Sequence, residues 1–94
     1  MAEVADNPAL SCYEMAVDGA VAVVEYRRLG DVLALTHTEV PQALSGRGVG
    51  TALVLATLDR IRAAGLKVRP LCPFITAVIR RHPEYRDLVA ADRG

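Results

Sequence analysis

The residues of this 94-residue chain that invite chemistry lie in Val40-Pro41-Gln42-Ala43-Leu44-Ser45-Gly46-Arg47-Gly48-Val49-Gly50-Thr51, where a β-branched segment meets a glycine-rich turn opening into an apolar helix. Glycines at 46, 48 and 50 remove Cβ atoms where backbone N–H groups can converge on an anion. The helix that follows points the positive end of its dipole at the same place. The indicated chemistry is phosphate binding by the backbone of Ser45 to Thr51, with Arg47 adding charge; a glycine-rich turn that binds nothing has the same local letters. Spacing removes two common phosphate loops. A P-loop places lysine before its Ser/Thr, and Thr51 directly follows Gly50. The dinucleotide fingerprint G-x-G-x-x-G has Leu53 at its sixth position in one register and Thr51 in the other.

Cys72 is the second candidate. It stands between Leu71 and Pro73, where a strand gives way to a helix, and the dipole there favours a thiolate able to carry an acyl group. The plainer alternative is a small buried hydrophobe. Two distant histidines and two cysteines sixty residues apart offer no metal-ligand spacing, so no metal is expected.

These residues are positioned by a short series of elements. Residues 1–8 are polar and read as a disordered tail, leaving 9–94 as a single domain. Ala9 to Val17 alternates as a strand, with Leu10, Cys12 and Met15 or Val17 inward, and Asp18-Gly19 supplies a hairpin turn. A second strand over Ala20 to Leu29 and a third over Val32 to Val40, joined at Gly30-Asp31, complete a three-stranded antiparallel meander. The helix from Val49 to Ala64 buries Val54, Leu58 and Ile61, exposes Asp59, Arg60 and Arg62, and ends at Gly65. Leu66 to Leu71 forms a fourth strand parallel to the third through a right-handed crossover. Pro73 opens a short helix over Phe74 to Arg81, capped by His82, and His82-Pro83 breaks it before a last one over Glu84 to Ala90. The class is α+β.

Eleven basic and eleven acidic residues cancel, so the broad positive field of a nucleic-acid binder is absent. Ten of the eleven cations are arginine, and Arg47, Arg69, Arg80 and Arg81 are placed to gather locally. With no signal peptide in Met1 to Leu10, no membrane-length apolar run and only two cysteines, the expectation is a soluble cytoplasmic protein with both thiols free and no membrane partner.

The glycine segment resembles the pyrophosphate-binding motif Q/R-x-x-G-x-G/A of the GNAT N-acetyltransferase superfamily, with Ser45 departing from the first position. The resemblance continues into very small GNAT-like proteins through His37-Thr38-Glu39-Val40-Pro41, Leu44-x-Gly46-x-Gly48-Val49-Gly50, Gly65-Leu66-Lys67-Val68, Pro70-Leu71-Cys72-Pro73-Phe74 and His82-Pro83-Glu84-Tyr85. These blocks cover about Tyr13 to Val89. The resemblance implies a GNAT-like fold with acetyl-CoA as cosubstrate. Its pyrophosphate would lie on Ser45, Gly46, Arg47, Gly48, Val49, Gly50 and Thr51, and its pantetheine arm along the backbone of Glu39 and Val40, where Pro41 ends the ladder. Direct transfer to an amine needs a base and an acid. His37 and Glu39, two apart and hence on one side of a strand, are the base candidates, and Tyr85 the acid; a solvated strand face and a core anchor are the respective alternatives. Transfer through Cys72 is the other route.

The amine acceptor stays open. Larger relatives insert two helices after the first strand, whereas here Asp18-Gly19 alone joins strands one and two. The acceptor side is then open, which suits a macromolecular acceptor or completion by a partner subunit. The chain is expected as a monomer or weak homodimer. The alternative function is a non-catalytic coenzyme A-binding or protein-interaction module.

Overall fold

A computed structural model of the protein describes residues 3–91. Five strands, Val4–Asn7 (β1), Cys12–Val17 (β2), Ala20–Leu29 (β3), Val32–Glu39 (β4) and Lys67–Pro70 (β5), form one sheet in the order β1-β2-β3-β4-β5. β1 to β4 are successive antiparallel neighbours, and β5 lies parallel to β4 after helix α1, Val49–Ala63. Helix α2, Pro73–Arg81, and a 3-10 segment, Pro83–Leu88, follow β5. The meander, the central helix and the parallel return strand stand where the sequence pattern puts them. The α+β class holds, with one more strand at the start.

That extra strand corrects the expected tail over residues 1–8. Val4 pairs with Met15 and is buried, and the Tyr26 hydroxyl donates to Asp6 Oδ1 at 2.7 Å. Burial first, and then Asp6, hold the Tyr26 phenol well above its ordinary range. One inward apolar residue among polar neighbours is enough for an edge strand with a paired neighbour. The rest of the expected tail, Met1 and Ala2, lies outside the described residues. Leu10, expected inward, sits in the β1–β2 connection and is 68% exposed. The expected last helix is a 3-10 segment ending at Leu88, because Val89 pairs with Val68 instead and the Ala90 N–H donates to the Val68 carbonyl at 2.8 Å.

Both helices pack on one face of the sheet. Tyr13, Met15, Val24, Leu33, Leu35 and Val68 meet Leu53, Val54, Leu58 and Ile61 of α1 and Ile75, Val78 and Ile79 of α2. The α1 end is a Schellman turn: Leu66 N–H donates to Ile61 O, Gly65 N–H donates to Arg62 O, and Gly65 takes φ 75°. This turn aims β5 back along the sheet beside β4. Among the described residues no helix covers the opposite face, where Glu25, Arg27, His37 and Glu39 are exposed.

Candidate functional site

The glycine segment is held by a 3-10 turn at Gln42–Leu44. Ser45 N–H and Oγ both reach the Gln42 carbonyl, at 3.1 and 2.9 Å, which removes the Ser45 amide from the expected set of free donors. Gly46 and Gly48 adopt φ 77° and 74°, left-handed values that favour glycine. Gly48 is the N-cap of α1, and the first helical bond runs from Ala52 N–H to Gly48 O. The amides of Val49, Gly50 and Thr51 precede that bond and point out of the helix end. Gly50 has a different reason to lack a side chain: a Cβ there would lie 3.1 Å from Phe74 Cζ and 3.3 Å from Cε2. Phe74, Val40 and Leu44 wall a cleft of about 250 Å³ directly over the loop. A wider hollow of about 510 Å³ beside β5 is lined by Asp31, Lys67 and Arg69 but has no glycine loop. Arg47 is paired with Asp18 of the β2–β3 turn at 2.8 Å.

β4 carries the second part of the site. Glu25 pairs with His37 but Tyr26 with Leu35, so Thr36 is an extra residue, a bulge whose Oγ1 donates to the Glu25 carbonyl at 3.3 Å. The bulge shifts the alternation by one: Leu35 before it and Thr38 after it face the helices, while His37 and Glu39 face the open side. Pairing with β5 ends at Leu35 and Pro70, closed by Leu71 N–H to Leu35 O at 3.0 Å. The chain then turns into α2, and β4 continues to Glu39 without a strand on that edge.

Cys72, the N-cap of α2, sits in this gap, 8% exposed and 3.7 Å from Thr38 Oγ1. Burial pushes its thiol up. The Ile75 amide, the Thr38 hydroxyl and the Phe74 and Thr38 amides all face the sulfur, though none closes a full capping bond, and the net direction is down from the ordinary 9.0. Thr38 lies two residues before the cleft-lining Val40, about 7 Å along the strand. The thiol therefore sits one step beyond the cleft.

His37 Nε2 and Glu39 Oε1 are 3.9 Å apart and both exposed. Tyr85 is not brought to them. Its hydroxyl donates to Asp59 at 2.6 Å, and this bond, reinforced by burial, pushes its pKa up to about 12. Asp59 is ten residues down α1 from Val49, about 15 Å along the helix. Arg62 locks the same region to Asp87 at 2.7 and 3.0 Å, so Tyr85 anchors the 3-10 segment to α1 and is corrected from acid to anchor. His82 caps α2 through its own N–H. The connection after the first strand is Pro8–Ser11, between β1 and β2, whereas Asp18-Gly19, expected there, joins β2 to β3.

Three contributors escaped the sequence pattern. Thr38 was readable as the partner of Val40 on one strand face, while Phe74 and Asp18 act only through contacts with residues far along the chain. Among the described residues no group of three or more His, Cys, Asp or Glu is placed to hold a metal ion. Among the same residues no helix is long and apolar enough to cross a membrane.

Residues 12–88 match the family described as GCN5-related N-acetyl-transferase. The chain belongs to this family. Among relatives, Protein NATD1 of Gallus gallus is 38% identical over 68 residues, which are 70% of this chain and 59% of that protein. Protein NATD1 of Danio rerio is 32% identical over 71 residues, 72% of this chain and 64% of the fish protein. The match thus spans about three fifths of these relatives' length. The solution NMR structure of a GCN5-like protein from Staphylococcus aureus superposes with a TM-score of 0.70 at 24% identity, covering 97% of this chain and 90% of that one. That likeness establishes the fold. In this GCN5-related N-acetyl-transferase family member the glycine loop, the central helix and the free β4 edge occur together.

Proposed function

We propose that the protein binds acetyl-CoA and transfers its acetyl group to an amine. The observation that carries this reading is continuity: the cleft over Gly46 and Gly48 runs into the β4 edge that continues past its last β5 pair. Open amides at the α1 end, with Arg47, hold a diphosphate by charge-assisted hydrogen bonds. The free β4 edge at Glu39 and Val40 takes the amide-rich arm as an added strand. The thioester then falls at the level of Thr38 and Cys72.

In the direct route Glu39 or His37 removes a proton from the incoming ammonium on the open face. The amine nitrogen attacks the thioester carbonyl, a C–N bond forms, the C–S bond breaks, and the coenzyme leaves as its thiolate, which takes up the proton released from the nitrogen. In the second route the Cys72 thiolate attacks first, giving acetyl-Cys72 and the free coenzyme thiolate, and the amine then takes the acetyl group from Cys72. The Thr38 hydroxyl and the α2 amides around the Cys72 sulfur, which favour its thiolate, support this second route. The short Pro8–Ser11 connection leaves room on the open face for a macromolecular amine.

Isothermal titration with acetyl-CoA tests binding, with ATP and NAD as controls. Saturable one-to-one heat that Gly48→Glu abolishes in a folded variant supports the reading, and no heat with no thermal shift overturns it. Intact mass after acetyl-CoA treatment separates the routes. One added acetyl group that Cys72→Ser loses supports the relay, and an unlabelled wild type with time-dependent thiol release supports direct attack. Binding without release in any amine pool leaves a coenzyme-binding module.

A further inference from the structure

The sheet face that carries no helix has an unusual order of residues. Strand register places Glu14 beside Val23 and Val23 beside Glu39, and in the next row Cys12 beside Glu25 and Glu25 beside His37. Beyond the Thr36 bulge the rows change sign: Arg27 lies beside Ala34 and Ala34 beside Arg69, then Leu29 beside Val32 and Val32 beside Lys67. One half of the face is acidic and the other basic. A water-facing antiparallel sheet mixes its charges, because opposite charges paired across strands are favourable. Here Glu25 faces Cys12 and His37, and Arg27 faces Ala34. Among the described residues neither Glu25 nor Arg27 is in an ion pair. Apolar side chains accompany them, with Val21 48% and Leu29 64% exposed.

We propose that this face binds a second copy of the same chain. A two-fold axis lying across the strands between the Glu25 and Arg27 rows brings each acidic half over the other copy's basic half. Glu25 then meets Arg27 of the second copy, and Val23 meets its Leu29. Every contact occurs twice, as an isologous interface requires. The apolar residues at both ends supply area, and the charge order sets the relative orientation. The second copy covers His37 and Glu39, so association competes with any acceptor arriving there. Association through this face does not depend on acetyl transfer.

Charge reversal tests it. Sedimentation equilibrium from micromolar to millimolar protein should give a monomer–dimer equilibrium that weakens with added salt. Glu25→Arg and Arg27→Glu, both at exposed positions and checked for folding by circular dichroism, should each weaken association about tenfold or more by setting like charges together. Mixing the two variants pairs an all-basic row with an all-acidic one and should restore association, as should the double variant Glu25→Arg/Arg27→Glu. A wild type that stays monomeric throughout overturns the proposal and leaves the face to another partner. Association that ignores both reversals, or a mixture that fails to associate, overturns it as well.

Discussion

Arg47 stands at the mouth of the candidate phosphate site with its guanidinium 2.8 Å from Asp18, and half of the arginine side chain and two thirds of the aspartate remain exposed. A ligand diphosphate that recruits Arg47 has to break this pair or bind beside the Asp18 charge, so Asp18 opposes binding either way. Asp18→Asn removes the charge with little change in shape, and asparagine tolerates the left-handed φ of 49° at this turn. Exposed ion pairs are worth about 0.2–1 kcal/mol, equivalent to about 1.4- to 5-fold in affinity. Titration calorimetry should therefore give an acetyl-CoA Kd tightened within that range. The gain should shrink in high salt, where the Debye length falls to about 3 Å at 1 M, and in an Arg47→Ala background, where only the Asp18 repulsion is left to remove. Unchanged or weaker binding in Asp18→Asn with Arg47 intact refutes the reasoning.

Four other expectations follow from the same geometry. Because its donors favour the thiolate, Cys72 should react with iodoacetamide with a pH midpoint below 9.0, while Cys12, held high by burial and Glu14, reacts only above it; Thr38→Val should move the Cys72 midpoint up. With a folded pKa below the unfolded one, this thiol adds stability that is fully present above pH 9.0 and lost as pH falls through the folded value, so the urea midpoint of the wild type should gain on that of Cys72→Ser as pH rises across that window. Thr57 is buried in α1 with its Oγ1 unpartnered, and Thr57→Val should stabilise by about 1 kcal/mol in urea unfolding. Gly50→Ala should change stability by less than about 1 kcal/mol, since better helix propensity offsets the push on the Phe74 ring, yet weaken acetyl-CoA binding by moving that wall.

The local signals carried most of the framework. Ala20–Leu29 begins and ends where Asp18-Gly19 and Gly30-Asp31 punctuate the alternation, α1 starts straight after Gly48, and Gly65 marks its end. The positive-φ roles of Gly46 and Gly48 were likewise readable, because such loops need glycine for conformational reasons internal to the segment. Other features depend on partners distant in sequence. β1 is a strand because Met15 and Tyr26 give Val4 and Asp6 something to meet, and Gly50 is a glycine because Phe74, twenty-four residues on, lies against it. Tyr85 looked available for chemistry until Asp59, on another element, claimed its hydroxyl.

The placement of the base candidates is the clearest case of a site decided by one non-local detail. In an unbroken strand Leu35, His37 and Glu39 share a face, and Leu35 is fully buried against the helices. That arrangement would put an imidazole and a carboxylate into an apolar core beside Cys72, at a cost of several kcal/mol. The extra residue at Thr36 moves both to the open face and brings Thr38 and Val40 inward, where one meets the thiol and the other walls the cleft over the glycine loop. β4 thereby has a polar, exposed side and a sheltered side, which the proposed transfer uses for the amine and the thioester respectively. Because pairing with β5 stops at Leu35, within one residue of the bulge, the two sides communicate where the strand edge is free. The proposed acetyl transfer relies on that coincidence of a shifted alternation and an open edge, and neither feature alone would place its donor and acceptor on opposite sides of one gap.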